Sequence, residues 1–164
     1  MQKSAMLLLF LSFISITGVA QKTLENVEIR TLDHRIVRSG EIHEKGRPML
    51  LVFWATWCSH TKDALTSIND DFLIDWQDEF DLQLVAVSVD DTRNLPKVKP
   101  LVYGKGWEFD VYVDANSDFN RVMNVNNAPF FLLLNGKGEV VWQHNSYAPG
   151  DEETIYEELL NLNL

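Results

Sequence analysis

The chain has 164 residues, a formal net charge of −10, 46% hydrophobic residues and a single cysteine. The length bounds it to one domain after any leader is removed, and the apolar fraction supplies a sizeable core without disulfide staples. An acidic balance of 24 Asp and Glu against 14 Lys and Arg excludes nucleic acid as a partner, since binding it takes clustered cations.

The first twenty residues carry Lys3, an apolar run from Ala5 to Ile16, and the small residues Gly18 and Ala20 ahead of Gln21. That pattern predicts a secretory signal peptide over 1–20 and a single domain over 21–164. The apolar run is short for a spanning helix, which needs about 20 residues; membrane attachment follows only if the leader is retained. No cysteine lies near the cleavage point, so a lipid anchor is not expected. An exported chain works where thiols oxidise, and a lone cysteine there has no internal partner.

Two short strands are predicted first, over Val27–Leu32 and His34–Ile42. The stretch GRPMLLVFWAT opens with turn residues and continues as a buried, β-prone run. After Cys58, Leu65, Ile68, Phe72 and Trp76 recur at helical steps and predict a helix over Ser59–Phe80 that buries this face. Leu82–Asp90 reads as a second buried strand. The segment from Asp91 to Trp107 contains Lys97, Lys99 and Lys105, read as the solvated face of a helix. Pro96 suits its first turn, and Pro100 is expected to bend or end it. FDVYVD predicts a strand, and SDFNRVMNV a short helix capped by Ser117 or Asp118. FFLLLNGKGEVVWQHN is a hairpin, two apolar runs around Asn-Gly-Lys-Gly. GDEETIYEELLNL closes the chain as an acidic-capped amphipathic helix. The order implies an α/β fold: a central mixed sheet with helices on both faces.

Cys58 falls where a buried strand runs into a helix. Free N–H groups and the positive dipole end there stabilise a thiolate, and can bring a cysteine from about 8.5 into a range of roughly 3.5–7.5. Trp57 is expected to shield one side, and a protonated His60 to add favourable charge. The competing reading is a buried, inert cysteine.

LLVFWATWCSHTKDAL resembles the active-site segment of thioredoxin-like proteins, a hydrophobic strand followed by Phe-Trp-Ala-x-Trp-Cys-x-x-Cys and a helix. VNNAPFFLLLNGKGEVV resembles the second landmark of that family, a cis-proline before the hairpin, with Pro129 at the proline position. The leader, the two early strands and an insert over about Asp91–Asp114 point to the secreted TlpA-type thiol–disulfide oxidoreductases. The resemblance implies a thioredoxin-like fold, a periplasmic location, a nucleophilic Cys58 within the motif Trp57, Ser59, His60 and Thr61, and a peptide-binding edge at Ala128 and Pro129 beside the sulfur. No cofactor and no metal are implied. Thr61 stands where the family has its resolving cysteine. The first thiolate attack remains open, but release of the mixed disulfide then needs an external thiol. The Thr61 hydroxyl is expected to donate to the thiolate.

The reading that uses these features is monothiol exchange with protein or low-molecular-weight thiols and disulfides, allowing isomerisation or deglutathionylation with an external reductant. A second reading is a redox-silent, peptide-binding module. A third is a thiol peroxidase of the glutathione-peroxidase type, which CSHT satisfies as Cys-x-x-Thr. That family also needs a Trp-Asn-Phe segment, absent here. A metal site has only Cys58 and His60 as a local pair, with His34, His43 and His144 scattered. His34 and His43 are expected in exposed turns and His144 at a hairpin end.

Overall fold

A computed structural model describes residues 22–162; the expected leader lies outside the described residues. Seven strands form one sheet: β1 Glu28–Thr31, β2 Ile36–Arg38, β3 Met49–Trp54, β4 Gln83–Ser88, β5 Asp110–Val113, β6 Phe130–Leu134 and β7 Val140–His144. They lie in the order β2-β1-β5-β4-β3-β6-β7. β3 pairs parallel with β4 and antiparallel with β6, so the sheet is mixed. The second predicted strand is shorter than expected, because Ser39–Glu41 turns into a 3-10 segment. The buried Ser39 hydroxyl there accepts from the Val27 N–H.

The alternation of side chains along β3 sorts the core into two layers. Leu50, Val52 and Trp54 face one side with Leu84, Ala86 and Phe131. Met49, Leu51 and Phe53 face the other with Val85, Val87 and Leu132. The first side is covered by α1 Ser59–Ser67, α2 Leu73–Phe80, α3 Leu95–Lys105 and α5 Asp151–Leu160. The second is covered by α4 Asp118–Val122 and the N-terminal segments. Helices on both faces are therefore found, unequally shared. A strand buried on both faces must be apolar throughout, which is why every residue of β3 is buried.

The helix predicted over Ser59–Phe80 is continuous but not uniform. Ile68–Phe72 forms a π turn between α1 and α2. The wider turn inserts one residue, so Leu73 rather than Phe72 follows Ile68 into the core; Leu73 is 3% exposed and Phe72 is half-buried. Downstream, Trp76 and Phe80 continue the corrected phase. Asp81, at φ 54°, ends α2 in the left-handed region.

Pro100 does not end its helix: α3 runs on to Lys105 and stops at Gly106, whose φ of 66° provides a left-handed C-cap. Lys99 pairs with Asp33 at 2.7 Å and lies over the Tyr103 ring. Neither predicted cap of α4 works as expected. Ser117 adopts φ 59° and makes no side-chain capping bond. Asp114, at the end of β5, accepts instead from the N–H groups of Phe119 (3.2 Å) and Asn120 (2.8 Å). Burial is the largest influence on Asp114 and raises its carboxyl above the ordinary value. The hairpin turn is held by Asn135, whose side-chain oxygen accepts from Lys137 and Glu139 N–H. Gly136 packs on the backbone of Gly46; a Cβ there would lie 2.9 Å from the Gly46 carbonyl oxygen.

Candidate functional site

β3 delivers the chain to the sheet's C-terminal edge, and a turn, in which the Cys58 N–H donates to the Ala55 carbonyl at 3.0 Å, leads into α1. Cys58 is the N-cap of α1, with extended φ −90° and ψ 107°. Cys58 is a free, buried cysteine, 7% exposed. The antiparallel register opposes Phe53 to Phe130. The two residues before Phe130 must then pass the end of β3, which brings the Ala128 carbonyl 3.5 Å from the Cys58 sulfur as acceptor of its thiol. The Ala128–Pro129 peptide bond is cis. Two segments 70 residues apart thus meet at the thiol.

The other motif residues divide by exposure. Ser59 and His60 are exposed on the first turn of α1. Trp57 is 63% exposed, in the turn between β3 and α1. Thr61 is fully buried, and its hydroxyl makes no hydrogen bond, so the expected donation to Cys58 is not made. The indole N–H of Trp54 is likewise buried without a partner.

One contributor was missed by sequence reading. Asp90 lies just beyond β4, which runs parallel to β3 with Ser88 opposite Trp54. Its carboxylate therefore stands level with Thr56, two residues before Cys58. It accepts from the Thr56 N–H at 2.8 Å, the Thr56 hydroxyl at 2.6 Å and the Ser88 hydroxyl at 2.8 Å. Asp90 is 1% exposed and fastens the loop carrying the thiol to the neighbouring strand. The available signal was Ser88 and Asp90 in VSVD, polar residues at alternate positions in an otherwise apolar run.

The other three histidines lie outside the cysteine motif. His34 is exposed at φ 63°. His43 is half-buried rather than exposed, its Nε2 2.9 Å from the Arg47 carbonyl oxygen. His144, at the end of β7, stacks on Trp142 and lies 3.6 Å from Asp151. Among the described residues no group of three His, Cys, Asp or Glu is placed to hold a metal ion. No helix among them is long and apolar enough to cross a membrane.

Residues 46–140 match the thioredoxin-like family. The sporulation thiol-disulfide oxidoreductase A of Bacillus subtilis is 26% identical over 100 residues, covering 60% of this chain and 59% of that protein. The thiol-disulfide oxidoreductase ResA of Bacillus thuringiensis is 28% identical over 99 residues, covering 60% and 55%. This chain therefore spans less than two thirds of either protein's length. The solution structure of an uncharacterized thioredoxin-like protein from Porphyromonas gingivalis superposes with a TM-score of 0.75 at 36% identity, covering 85% of this chain and 90% of that one. The chain belongs to the thioredoxin-like family, is distantly homologous to thiol–disulfide oxidoreductases of the TlpA, ResA and StoA type, and carries one cysteine where a dithiol needs two.

Proposed function

We propose that the protein is an exported, periplasmic monothiol exchange protein that works through Cys58. The Cys58 thiolate attacks one sulfur of a partner disulfide, forming a Cys58–partner disulfide and releasing the partner's other sulfur as a thiolate. A second thiolate, from a small thiol or another protein, then attacks this mixed disulfide. Cys58 leaves as thiolate, and the released partner keeps a disulfide to the attacking thiol. The disulfide bond is passed on and no net oxidant is required. Trp57, Ser59 and His60 form the exposed surround of the sulfur, and Ala128 and Pro129 the edge along which a partner chain lies. Thr61 occupies the resolving position and carries no thiol.

The observation that carries the reading is the meeting of Cys58, at the head of α1, with the Ala128 carbonyl at 3.5 Å. An inert core cysteine needs no such convergence. The test is reaction of the reduced protein with glutathione disulfide. One glutathione should add per chain, faster than to free cysteine at the same pH, and reduced glutathione should remove it. Cys58→Ser should abolish the adduct. Thr61→Cys should add turnover in disulfide reduction by supplying the missing intramolecular step. A Cys58 that reacts no faster than free cysteine would sink the proposal and leave a binding role.

A further inference from the structure

A groove of about 600 Å³ lies between α2 and α5. Its floor is apolar, made by Phe72, Trp76, Tyr156 and Leu160. The Phe72 and Trp76 rings are 5.5 Å apart, and Tyr156 meets Phe80 edge-on at 5.6 Å, so the floor is fixed by packing. Leu160 is 54% exposed, and Phe72 and Tyr156 are half-buried. Asp75, Glu153 and Glu157 stand exposed along the rim. A second hollow of about 490 Å³ shares Phe72, Glu152 and Glu153 and extends the surface to Asp63 and Ser67 on α1.

The charge on this face is of one sign. From Asp63 to Phe80 and from Tyr147 to Leu162 the sequence has no Lys or Arg. Among the described residues Asp75, Glu153 and Glu157 have no ion-pair partner. A neutral apolar segment seated here would desolvate these carboxylates without compensation, and an acidic one would be repelled. A segment carrying Lys or Arg along the edges of an apolar stripe satisfies both parts of the surface. Its apolar side chains meet the aromatic floor, its aliphatic stems lie across it, and its cations reach the rim.

We propose that the α2–α5 groove docks a Lys- or Arg-rich amphipathic helical segment of a partner protein. The site does not use Cys58 and stands whether or not the thiol reading holds.

The protein and its Cys58→Ser variant are titrated with a cysteine-free peptide of about 15 residues, with Leu on one helical face and Lys on the flanks. Binding is followed by calorimetry and by the resonances of the Trp76 indole and the Tyr156 ring. Both proteins should bind alike, both resonances should shift, and high salt should weaken the complex. An all-Lys peptide of the same length should bind about ten-fold more weakly, having nothing for the floor. The triple variant Asp75→Lys, Glu153→Lys, Glu157→Lys should weaken binding by about ten-fold or more. Shift mapping on the unsubstituted protein locates the site even if that variant folds poorly. The proposal is overturned by absence of binding, by equal binding of the all-Lys peptide, or by shifts that avoid the groove. Self-association that fills the groove with a second copy would also overturn it.

Discussion

Replacing Asp90 by alanine removes an acceptor that three donors use. The Thr56 N–H, the Thr56 hydroxyl and the Ser88 hydroxyl all bond to it, and Thr56 and Ser88 are themselves buried. A buried donor left unpaired costs roughly 1–3 kcal/mol. The hydroxyls can rotate toward other acceptors, and burial of the carboxylate is relieved, so the net loss is about 2–4 kcal/mol. With a urea dependence of about 2 kcal/mol/M for a domain of this size, the unfolding midpoint should fall by about 1–2 M. Asp90→Asn tests the reasoning more sharply. Its oxygen can accept from the Thr56 N–H and Ser88 hydroxyl, while its NH2 donates to the Thr56 hydroxyl oxygen, so all three bonds survive with reversed polarity in one. That variant should stay within about 1 kcal/mol of the parent. Urea curves of all three proteins provide the measurement, and Cys58 reaction with an aromatic disulfide reports the loop, with Asp90→Ala slowed by about ten-fold. An alanine variant whose midpoint moves by less than about 0.3 M would refute the network's role. An asparagine variant as weak as alanine would refute the bond-by-bond account.

Thr61→Val replaces a buried, unbonded hydroxyl by a methyl of nearly the same shape. It should raise the melting temperature by about 2–4 °C, equivalent to about 1 kcal/mol, as read by calorimetry; a fall would mean that the hydroxyl is bonded in solution. Tyr147 donates to Glu152, and burial, then that bond, pushes its phenol up to about 12 from 10.0. The folded phenol holds its proton where the unfolded one has lost it, so its contribution is whole below pH 10.0 and fades as pH rises through about 12; Tyr147→Phe should flatten that part of a melting-temperature profile. Burial pushes Glu152 up, but bonds from the Ser67 and Tyr147 hydroxyls and the Gly150 N–H outweigh it and leave the carboxyl below its ordinary 4.5. Its contribution is whole above pH 4.5 and is lost as pH falls through the lower folded value, so Glu152→Gln should show less acid destabilisation than the parent in the same profile.

The parts of the fold legible in the sequence are those set by local pattern. An unbroken apolar run is a strand buried on two faces, and β3, β6 and the middle of β4 from Leu84 to Val87 are such runs. The meeting of Cys58 with the Ala128–Pro129 segment was legible only through family resemblance, since nothing local links residues 70 apart. The departures have separate physical origins. Asp114 supplants Ser117 as the cap of α4 because β5 ends beside that helix's free N–H groups. Pro100 is tolerated within α3, which continues to a glycine cap. Asp90 was passed over because its partner Thr56 belongs to another strand's loop.

The π turn at Ile68–Phe72 has a consequence for chain length. Ile68 and Leu73, both in the core, are five steps apart where an α-helix would use four. Asp70 and Asp71, the exposed residues between them, contribute nothing to the sheet. Removing one of them would leave Leu65, Ile68, Leu73, Trp76 and Phe80 spaced 3, 4, 3 and 4 residues apart, the repeat of an uninterrupted helix. A relative one residue shorter at this point would bury the same side chains against the same strands. An ungapped alignment past the turn would then mispair every position of α2, setting core residues against solvent-facing ones in two proteins that share one core.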